Sequence, residues 1–463
     1  MSIALRAAIR RARASELGGL AGDSFYVGIW QGATSVADLV QIALVTHVLG
    51  LHEFGRLAIV ISFVLLVGQF FDVRVGAAAT MFGARRLQAR DQGGATGVFQ
   101  LSYLIDASTG ILGFAVVAAL APLVGPHLVG PGGTALILLF ALTLLISTVH
   151  ESSITVLRLL DRFKLIAWYT TGLQALRVAC LVGALLISQS LTAVLIALVA
   201  FDLASAIANA SAAALVFRKT TGRSLTQSAI GEFRERRQMV RMVFHTNVVS
   251  YGRLAQVQLP TLLVGSLSGA TQAGIYKLGT AGGATIGRLA DPAYGALLPR
   301  LARLWAEGRV GEIRRLIRRA SLVAAPTLAA ALLALVLLRE PALRLLGGSG
   351  GTQAGTVLVL VAVAQAVNGA LFWNVGLLFA AGRSGIIALI ASIGAVLQVA
   401  LLVPLVVLFD ANGAAAAFLA TMVGTNLIAA LFALRVLGRA GDTGQNPAPD
   451  VIVPLPVGPG EAS

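Results

Sequence analysis

The chain has 463 residues, of which 57% are hydrophobic and only 12% are charged, with a mean hydropathy of +0.86. Soluble proteins carry about 25% charged residues, so this composition excludes an ordinary soluble protein. The net charge of +15 fits either a nucleic-acid-binding protein or a membrane protein with basic cytoplasmic loops. The single Cys180 excludes a disulfide within the chain and a cysteine-based metal site, and the five histidines show no ligand spacing.

The first element, residues 1–23, is a basic segment. Arg6, Arg10 and Arg13 recur at helical spacing, which predicts an amphipathic helix on the cytoplasmic surface of the membrane. A cleaved signal peptide is the alternative. We favour a retained first span, because the first apolar run is long and lacks a clear small-residue cleavage site near its end.

Long apolar runs then follow one another along the chain. A membrane-crossing helix needs about 20 mostly apolar residues. Twelve stretches meet this requirement and are numbered here as spans 1 to 12: 24–49, 56–83, 97–124, 134–158, 164–188, 191–217, 240–268, 272–301, 313–338, 354–381, 384–409 and 411–437.

The loops between the spans alternate in charge. With the N-terminus assigned to the cytoplasm, the cytoplasmic segments hold 27 of the 35 Lys and Arg residues, and the outer loops hold only Arg56, Arg339 and Arg344. Basic residues collect in cytoplasmic loops, so this asymmetry predicts that both termini are cytoplasmic. It also accounts for the positive charge without nucleic acid as a partner.

An internal repeat relates the two halves of the chain. A shift of 219 residues places Gly50 on Gly269 and Asp72 on Asp291, where the sequences are DVRVGA and DPAYGA. The same shift places spans 4 to 6 on spans 10 to 12. Because each half has an even number of spans, both halves start on the same side of the membrane. The sequence therefore predicts a parallel repeat, with a cleft between two lobes.

These patterns predict an all-α polytopic membrane protein with twelve transmembrane helices in two six-helix lobes. The expected divisions are the following: a cytoplasmic basic segment 1–23, an N-lobe 24–217, a basic cytoplasmic linker 218–239, a C-lobe 240–438 and a disordered cytoplasmic tail 439–463 rich in Pro and Gly.

Charged residues inside the spans need a partner, water or a functional role, because each costs several kcal/mol at the bilayer centre. We interpret Asp106, Glu151 and Arg177 as structural pairs that hold helices together. Three further basic residues have no acid three or four residues away, which favours a role in ligand binding: Arg74, Arg253 and Lys277.

Polar stripes mark the first span of each half. In span 1 the polar residues recur at three- and four-residue spacing on one helical face: Gln31, Thr34, Ser35, Asp38 and Gln41. Span 7 is polar as well and includes Arg253 and Gln256. Spans 1 and 7 are therefore predicted to line the cleft, with spans 2 and 8 beside them.

Two stretches resemble a known family: LGLHEFGRLAIVISFVLLVGQFFDVRVGAAATMFGARR in the first half and GATQAGIYKLGTAGGATIGRLADPAYGALLPRLARLWAEG in the second. They are similar to the polysaccharide-biosynthesis (Wzx-type) flippases of the multidrug/oligosaccharidyl-lipid/polysaccharide (MOP) exporter superfamily. The resemblance covers most of residues 24–438. It implies a cationic cavity, open alternately to each side, that carries undecaprenyl-pyrophosphate-linked sugars across the bacterial inner membrane.

The resemblance and the residues together predict a flippase for lipid-linked oligosaccharides, used in lipopolysaccharide, O-antigen or exopolysaccharide synthesis, and not an enzyme. The predicted substrate-binding residues are Arg74, Arg253, Lys277, Arg288, Gln31, Asp38 and Gln256. The predicted ion-coupling residues are Asp38, Asp202 and Asp291, with H⁺ or Na⁺ as the ion and no cofactor or bound metal. The expected partners are the substrate, membrane lipids and other polysaccharide-assembly proteins, with the chain acting as a monomer.

Two alternatives remain. A multidrug exporter of the same superfamily would share the spans, but its cavity should favour acids and aromatic residues, and aromatics are only 6% of this chain. A polymerase or ligase of lipid-linked sugars usually needs a large outer loop, whereas the outer loops here are short.

Overall fold

The computed structural model describes the backbone of residues 3–71, 75–247 and 251–443, with side chains described for 32–71, 75–243, 257–291, 294 and 297–440. This part of the chain is helical and contains no strand. Its α-helices are Ile3–Phe71, Val75–Gln88, Gln92–Leu128, Gly133–Ser147, His150–Leu159, Phe163–Ile187, Leu191–Thr221, Arg236–Asn247, Tyr251–Ser268, Ala270–Gly283, Thr285–Arg288, Asp291–Ala306, Val310–Leu337, Arg339–Gly347, Gly355–Ala370, Trp373–Ala380 and Ser384–Thr443. Two short 3₁₀ turns are Ile230–Glu232 and Ser349–Ala354.

Twelve crossings are present in these described ranges. Eight helical segments are long and apolar enough to cross a membrane. Two of the eight each contain two crossings, because the backbone leaves the helical conformation at Gly50 and at Asp410. Spans 7 and 8 supply the other two, each built from consecutive shorter helices between residues 236 and 306. The predicted all-α fold with twelve spans in two six-helix lobes is therefore confirmed.

The repeat is visible in the backbone. Gly50, between spans 1 and 2, has φ 83° and ψ 171°. Gly269, between spans 7 and 8, has φ 86° and ψ 171°. This combination is essentially restricted to glycine, so the two halves use the same residue for the same turn. Span 4 and span 10 share a second feature, because each is interrupted once, near residues 148 and 371.

The chain divides into two compact units, Met1–Tyr251 and Gly252–Ser463. In the first unit, spans 3 and 4 approach so closely that a Cβ on Gly133 would lie 2.3 Å from the carbonyl oxygen of Gly125. In the second unit, a Cβ on Gly283 of span 8 would lie 2.8 Å from the carbonyl oxygen of Leu358 in span 10. Small residues therefore set the helix spacing in both units, as is common where lipid supplies no hydrophobic driving force between helices.

The segment between the halves is folded onto the first unit. The side-chain amide of Gln100 in span 3 donates to the carbonyl oxygens of Leu225 (2.8 Å) and Gln227 (2.6 Å) and accepts from the backbone N–H of Ala229 (2.9 Å). Phe233 is fully buried in a cluster with residues of spans 2 and 3. Residues 225–243 are thus packed against the cytoplasmic loop predicted between those spans.

The first and last described helices extend beyond the predicted spans 1 and 12. The helix containing span 1 begins at Ile3, so the backbone of the basic N-terminal segment is helical and continuous with the span. The helix containing span 12 continues to Thr443. Residues 444–463 lie outside the described residues, so the disordered tail stays a prediction.

Candidate functional site

An arginine inside the first unit is held between three spans. Arg177 of span 5 pairs with Asp38 of span 1, with 2.9 Å between Nη1 and Oδ1. Its other terminal nitrogen, Nη2, donates to Oε1 of Gln41, also on span 1. The guanidinium carbon lies 5.8 Å from the ring centroid of Phe201 in span 6, which is a cation–π distance. Span 6 therefore forms the third side of the site.

Further polar groups surround this arginine. Gln174, one helical turn before it, donates from Nε2 to Oγ1 of Thr34 at 3.4 Å. The Oε1 atom of Gln174 is buried and has no hydrogen-bond partner among the described residues. Asp202, next to Phe201, is half-buried and close enough to Arg177 to interact with it electrostatically. We call this group the Arg177 cluster; its members are Thr34, Asp38, Gln41, Gln174, Arg177 and Asp202.

Local sequence spacing places these side chains. Thr34, Asp38 and Gln41 are four and three residues apart, so they share one face of span 1. Gln174 and Arg177 are three apart and share one face of span 5. Asp38 lies twelve residues before the turn at Gly50, about 18 Å along a helix, which is near the middle of a hydrocarbon core about 30 Å thick. The cluster is therefore at mid-membrane depth.

The numbers of acidic and basic side chains in the cluster would allow it to bind a proton or a monovalent cation. It contains two carboxylates, Asp38 and Asp202, and one guanidinium, Arg177. When both acids are ionised the cluster has one uncompensated negative charge, which a proton or a monovalent cation would neutralise. Loss of the Asp38 charge would remove the carboxylate that pairs with Arg177 and so loosen the position of Arg177.

A second polar group lies between spans 2, 3 and 4. Oγ of Ser152 donates to Oδ2 of Asp106 at 2.5 Å, and the hydroxyl groups of Tyr103 and Ser153 are 2.8 Å apart. A cavity of about 240 Å³ lies beside these residues, and Glu151 is part of its lining. Span 3 is thus hydrogen-bonded to span 4 through its acid, in agreement with a structural role for Asp106.

Two of the predicted site residues, Asp38 and Asp202, belong to the Arg177 cluster. Arg74 lies outside the described residues, and so do the side chains of three other predicted site residues: Gln31, Arg253 and Gln256. Lys277 is half-buried on the helix Ala270–Gly283, and Arg288 and Asp291 are exposed around the break in span 8. Their roles in substrate binding and ion coupling stay predictions.

The sequence predicted a structural pair for Arg177 but did not indicate its partner. The signal that could have found the partner was present: Gln174 and Arg177 form a polar face on span 5 that matches the stripe on span 1. A second missed contact joins spans 10 and 12, where Nδ2 of the buried Asn374 donates to Oδ1 of Asn426 at 3.1 Å. Nothing in local spacing indicated that these two asparagines would meet.

Eight helical segments that are long and apolar enough to cross a membrane, with an ion pair at mid-membrane depth in the first unit, define a multi-pass membrane protein. Residues 20–305 match the family model described as "Polysaccharide biosynthesis protein". This match covers more than half of the chain, so the chain belongs to the polysaccharide biosynthesis protein family, and the resemblance seen in the sequence is confirmed.

Solved structures show the same fold at low sequence identity. An inward-facing multidrug resistance MATE family transporter of the MOP superfamily has a TM-score of 0.66 and 12% identity, covering 88% of this chain and 96% of that one. The lipid II flippase MurJ in an inward closed conformation has a TM-score of 0.64 and 11% identity, covering 91% and 94%. A MOP superfamily transporter from Pyrococcus furiosus has a TM-score of 0.62 and 12% identity, covering 91% and 96%. No curated protein matches the chain.

Proposed function

We propose that the chain is a flippase that moves a polyprenyl-pyrophosphate-linked oligosaccharide across the bacterial inner membrane for the synthesis of a cell-surface polysaccharide. The observation that carries this proposal is membership of the polysaccharide biosynthesis protein family in a chain with the MOP fold. The similarities to the lipid II flippase and to the MATE transporter show the fold alone, so the lipid-linked substrate is proposed from the family.

In this proposal the two ends of the substrate meet different residues. The pyrophosphate binds fixed positive charge from Arg74, Arg253 and Lys277, because arginine and lysine are the side chains that recognise phosphate groups. The sugars contact the polar faces of spans 1 and 7, and the polyprenyl chain stays in the bilayer. The lobes then alternate between inward-open and outward-open states.

The Arg177 cluster supplies the coupling step. A proton or Na⁺ that neutralises Asp38 or Asp202 changes the net charge around Arg177 at mid-membrane depth. A ligand shifts a conformational equilibrium only if it binds the two states differently. We therefore infer that the two lobe arrangements differ in how strongly Arg177 holds Asp38.

Deletion of the gene tests the substrate class. We expect one surface glycan to disappear while its lipid-linked precursor accumulates in the inner leaflet, measured by glycan analysis of the surface and of extracted lipids. A normal glycan profile combined with new sensitivity to cationic drugs would overturn the flippase assignment in favour of a multidrug exporter.

Complementation of the deletion strain tests the residues. Arg74→Ala, Arg253→Ala and Lys277→Ala are each expected to lower export at least about tenfold, the effect of losing about 1.4 kcal/mol of binding, while the protein still accumulates in the membrane. The matched control is Arg303→Ala, since Arg303 is 76% exposed and pairs with Glu307 at the end of the helix Asp291–Ala306. Full export by all three variants would exclude the pyrophosphate assignment.

A separate set of variants tests coupling. Asp38→Asn and Asp202→Asn should both reduce export driven by an imposed proton or sodium gradient in proteoliposomes. Asp202→Asn, which changes no predicted substrate-binding residue, should leave equilibrium binding of the purified precursor within about twofold of the native protein. Asn374→Ala, which removes a buried contact in the other unit, serves as a control for general damage. Unchanged gradient dependence in both aspartate variants would exclude the Arg177 cluster as the coupling site.

A further inference from the structure

Four arginines form one face of the first turns of span 9. The helix Val310–Leu337 contains Arg314, Arg315, Arg318 and Arg319, and all four are exposed. At about 100° per residue they occupy an arc of about 140°. The buried side of the same turns is formed by Ile313 and Ile317, which are 0% and 7% exposed. We call these four arginines the span 9 basic face.

The arginines of the span 9 basic face differ from those just before them in the chain. Arg303 and Arg309 are neutralised by Glu307, at 2.9 Å and 2.8 Å, and Arg309 also pairs with Glu312. In the described part of the chain, none of the four arginines of the basic face has a carboxylate partner. Their positive charge is therefore available to something outside the protein.

The position of the span 9 basic face along the helix indicates its depth in the membrane. The apolar part of span 9 starts directly after Arg319, and the 18 residues from 320 to 337 extend about 27 Å, close to the thickness of a hydrocarbon core. The arginines are thus in the first two turns before the hydrocarbon, which is the depth of the lipid headgroups.

The direction of the face also points to lipid. Leu322 and Val323, which follow the arginines, are 67% and 70% exposed. Only 6% of the apolar window of this helix is buried. A helix that is apolar and packs against so few protein side chains has lipid as its main neighbour. The four arginines precede the lipid-exposed part of this helix, so they are adjacent to the headgroups of the same lipids.

We propose that the span 9 basic face is a binding site for the headgroups of anionic phospholipids. Guanidinium groups bind phosphodiester oxygens in bidentate geometry, and clusters of four to eight basic residues immediately beside a membrane helix are attracted to anionic lipids. The site is on span 9, whereas the residues proposed to bind the pyrophosphate are on spans 2, 7 and 8. The proposed lipid site does not depend on which substrate the protein transports, so it can be tested independently of the proposed function.

The test uses the purified full-length protein in detergent and a short-chain phosphatidylglycerol as the probe, with phosphatidylcholine of the same chain length for comparison. Binding is measured by native mass spectrometry, which counts the lipids retained on each protein. The variant is R314Q/R315Q/R318Q/R319Q. The matched control is R303Q/R309Q, which removes two nearby arginines that already have carboxylate partners.

Phosphatidylglycerol affinity is expected to fall by about fivefold for each arginine removed from the basic face, and by less than about twofold in the control. The difference should shrink at high salt, where charge interactions are screened. An equal loss in both variants, no loss in the quadruple variant, or tighter binding of RNA than of lipid by the native protein would overturn the proposal. So would displacement of the lipid by millimolar inorganic phosphate, because it would show that free phosphate is the ligand.

The quadruple variant has to remain folded for this comparison. Since all four side chains are exposed, its thermal unfolding in lipid-free detergent is expected to match that of the native protein. If it does not accumulate, the double variant R318Q/R319Q is compared with R303Q/R309Q in the same assay. A double variant with native phosphatidylglycerol affinity would overturn the proposal as firmly as the quadruple variant.

Discussion

Gly50 and Gly269 have the same backbone conformation at equivalent turns of the two halves, with φ and ψ that only glycine adopts readily. A Cβ at either position would have no neighbour within 4 Å. The requirement for glycine is therefore conformational and does not come from packing. The repeat seen in the sequence thus reports a shared backbone constraint.

Replacing these glycines tests that constraint. Gly50→Ala and Gly269→Ala should each destabilise the protein by about 1–3 kcal/mol, because a side chain strains this conformation. The measurement is thermal unfolding of the purified protein in detergent. Gly172→Ala in span 5 is the matched control, since that glycine is helical and also has open space around it, and alanine there should be neutral or stabilising by up to about 1 kcal/mol. Equal effects at all three positions would contradict the conformational explanation.

Asp91 caps the helix of span 3 and is the basis of a pH-dependent prediction. Its Oδ1 accepts from the backbone N–H of Gly94 at 2.8 Å, and its Oδ2 pairs with Arg86 at 2.8 Å. The Gly94 hydrogen bond and the Arg86 charge together hold the pKa of this carboxyl below its ordinary value of 3.8. Its stabilising contribution is therefore complete above about pH 3.8 and lost as the pH falls through the lowered pKa.

Asp91→Asn separates the charge from the cap. Asparagine caps a helix about as well as aspartate, so the variant should lose only the ion pair with Arg86. We expect the native protein to be more stable than the variant at pH 7, and the two thermal-unfolding curves to converge as the pH falls through the lowered pKa of Asp91. A stability difference that persists at the lowest pH would show that the charge of Asp91 is not the cause.

At the scale of elements, the segment 225–243 acts as part of the first unit. Arg86 of span 2 also contacts it, pairing with Glu235 at 3.2 Å and lying 5.7 Å from the ring centroid of Phe233. Gly97 permits this docking, because a Cβ there would lie 2.5 Å from the carbonyl oxygen of Ala229. The sequence predicted a basic linker, whereas the structure shows which helices hold it.

A methyl group at Gly97 should push this segment away from span 3. We expect Gly97→Ala and Gln100→Ala to make the arginine-rich stretch around Arg234 and Arg236 more rapidly cleaved by trypsin, because cleavage requires local opening of the chain. The time course of cleavage in detergent-solubilised protein is the measurement. Gly183→Ala, where nothing lies within 4 Å, is the matched control. Native cleavage rates in both variants would mean that these contacts do not hold the segment.

For the molecule as a whole, the orientation in the membrane follows from the distribution of basic residues and is still a prediction. Thr226 in the linker and Gln189 in the loop between spans 5 and 6 are both exposed and should lie on opposite sides of the membrane. With Cys180 replaced by serine, Gln189→Cys should react with a membrane-impermeant maleimide in intact cells. Thr226→Cys should react only after permeabilisation. The reverse pattern would place the termini outside.

The extent to which sequence predicted the site differs from residue to residue. The polar face of span 1 was evident from spacing, and Asp38 and Gln41 both contact Arg177. The pairing itself was not predictable, because Asp38 and Arg177 are 139 residues apart and helical periodicity relates only residues within a few turns. Asp202 was predicted as an ion-coupling residue because it is an acid inside span 6, and the structure adds its proximity to Arg177.

The amino-acid sequence by itself determined the number of spans, their order and the two-fold repeat. It could do so because lipid offers the backbone no hydrogen-bond partners, so every long apolar run must form a helix. Only the tertiary structure decided which buried charges meet, that Gln100 holds the linker, and that the arginines of span 9 face away from the protein core. Each of these depends on how helices pack side by side, which is set by contacts between residues far apart in the chain.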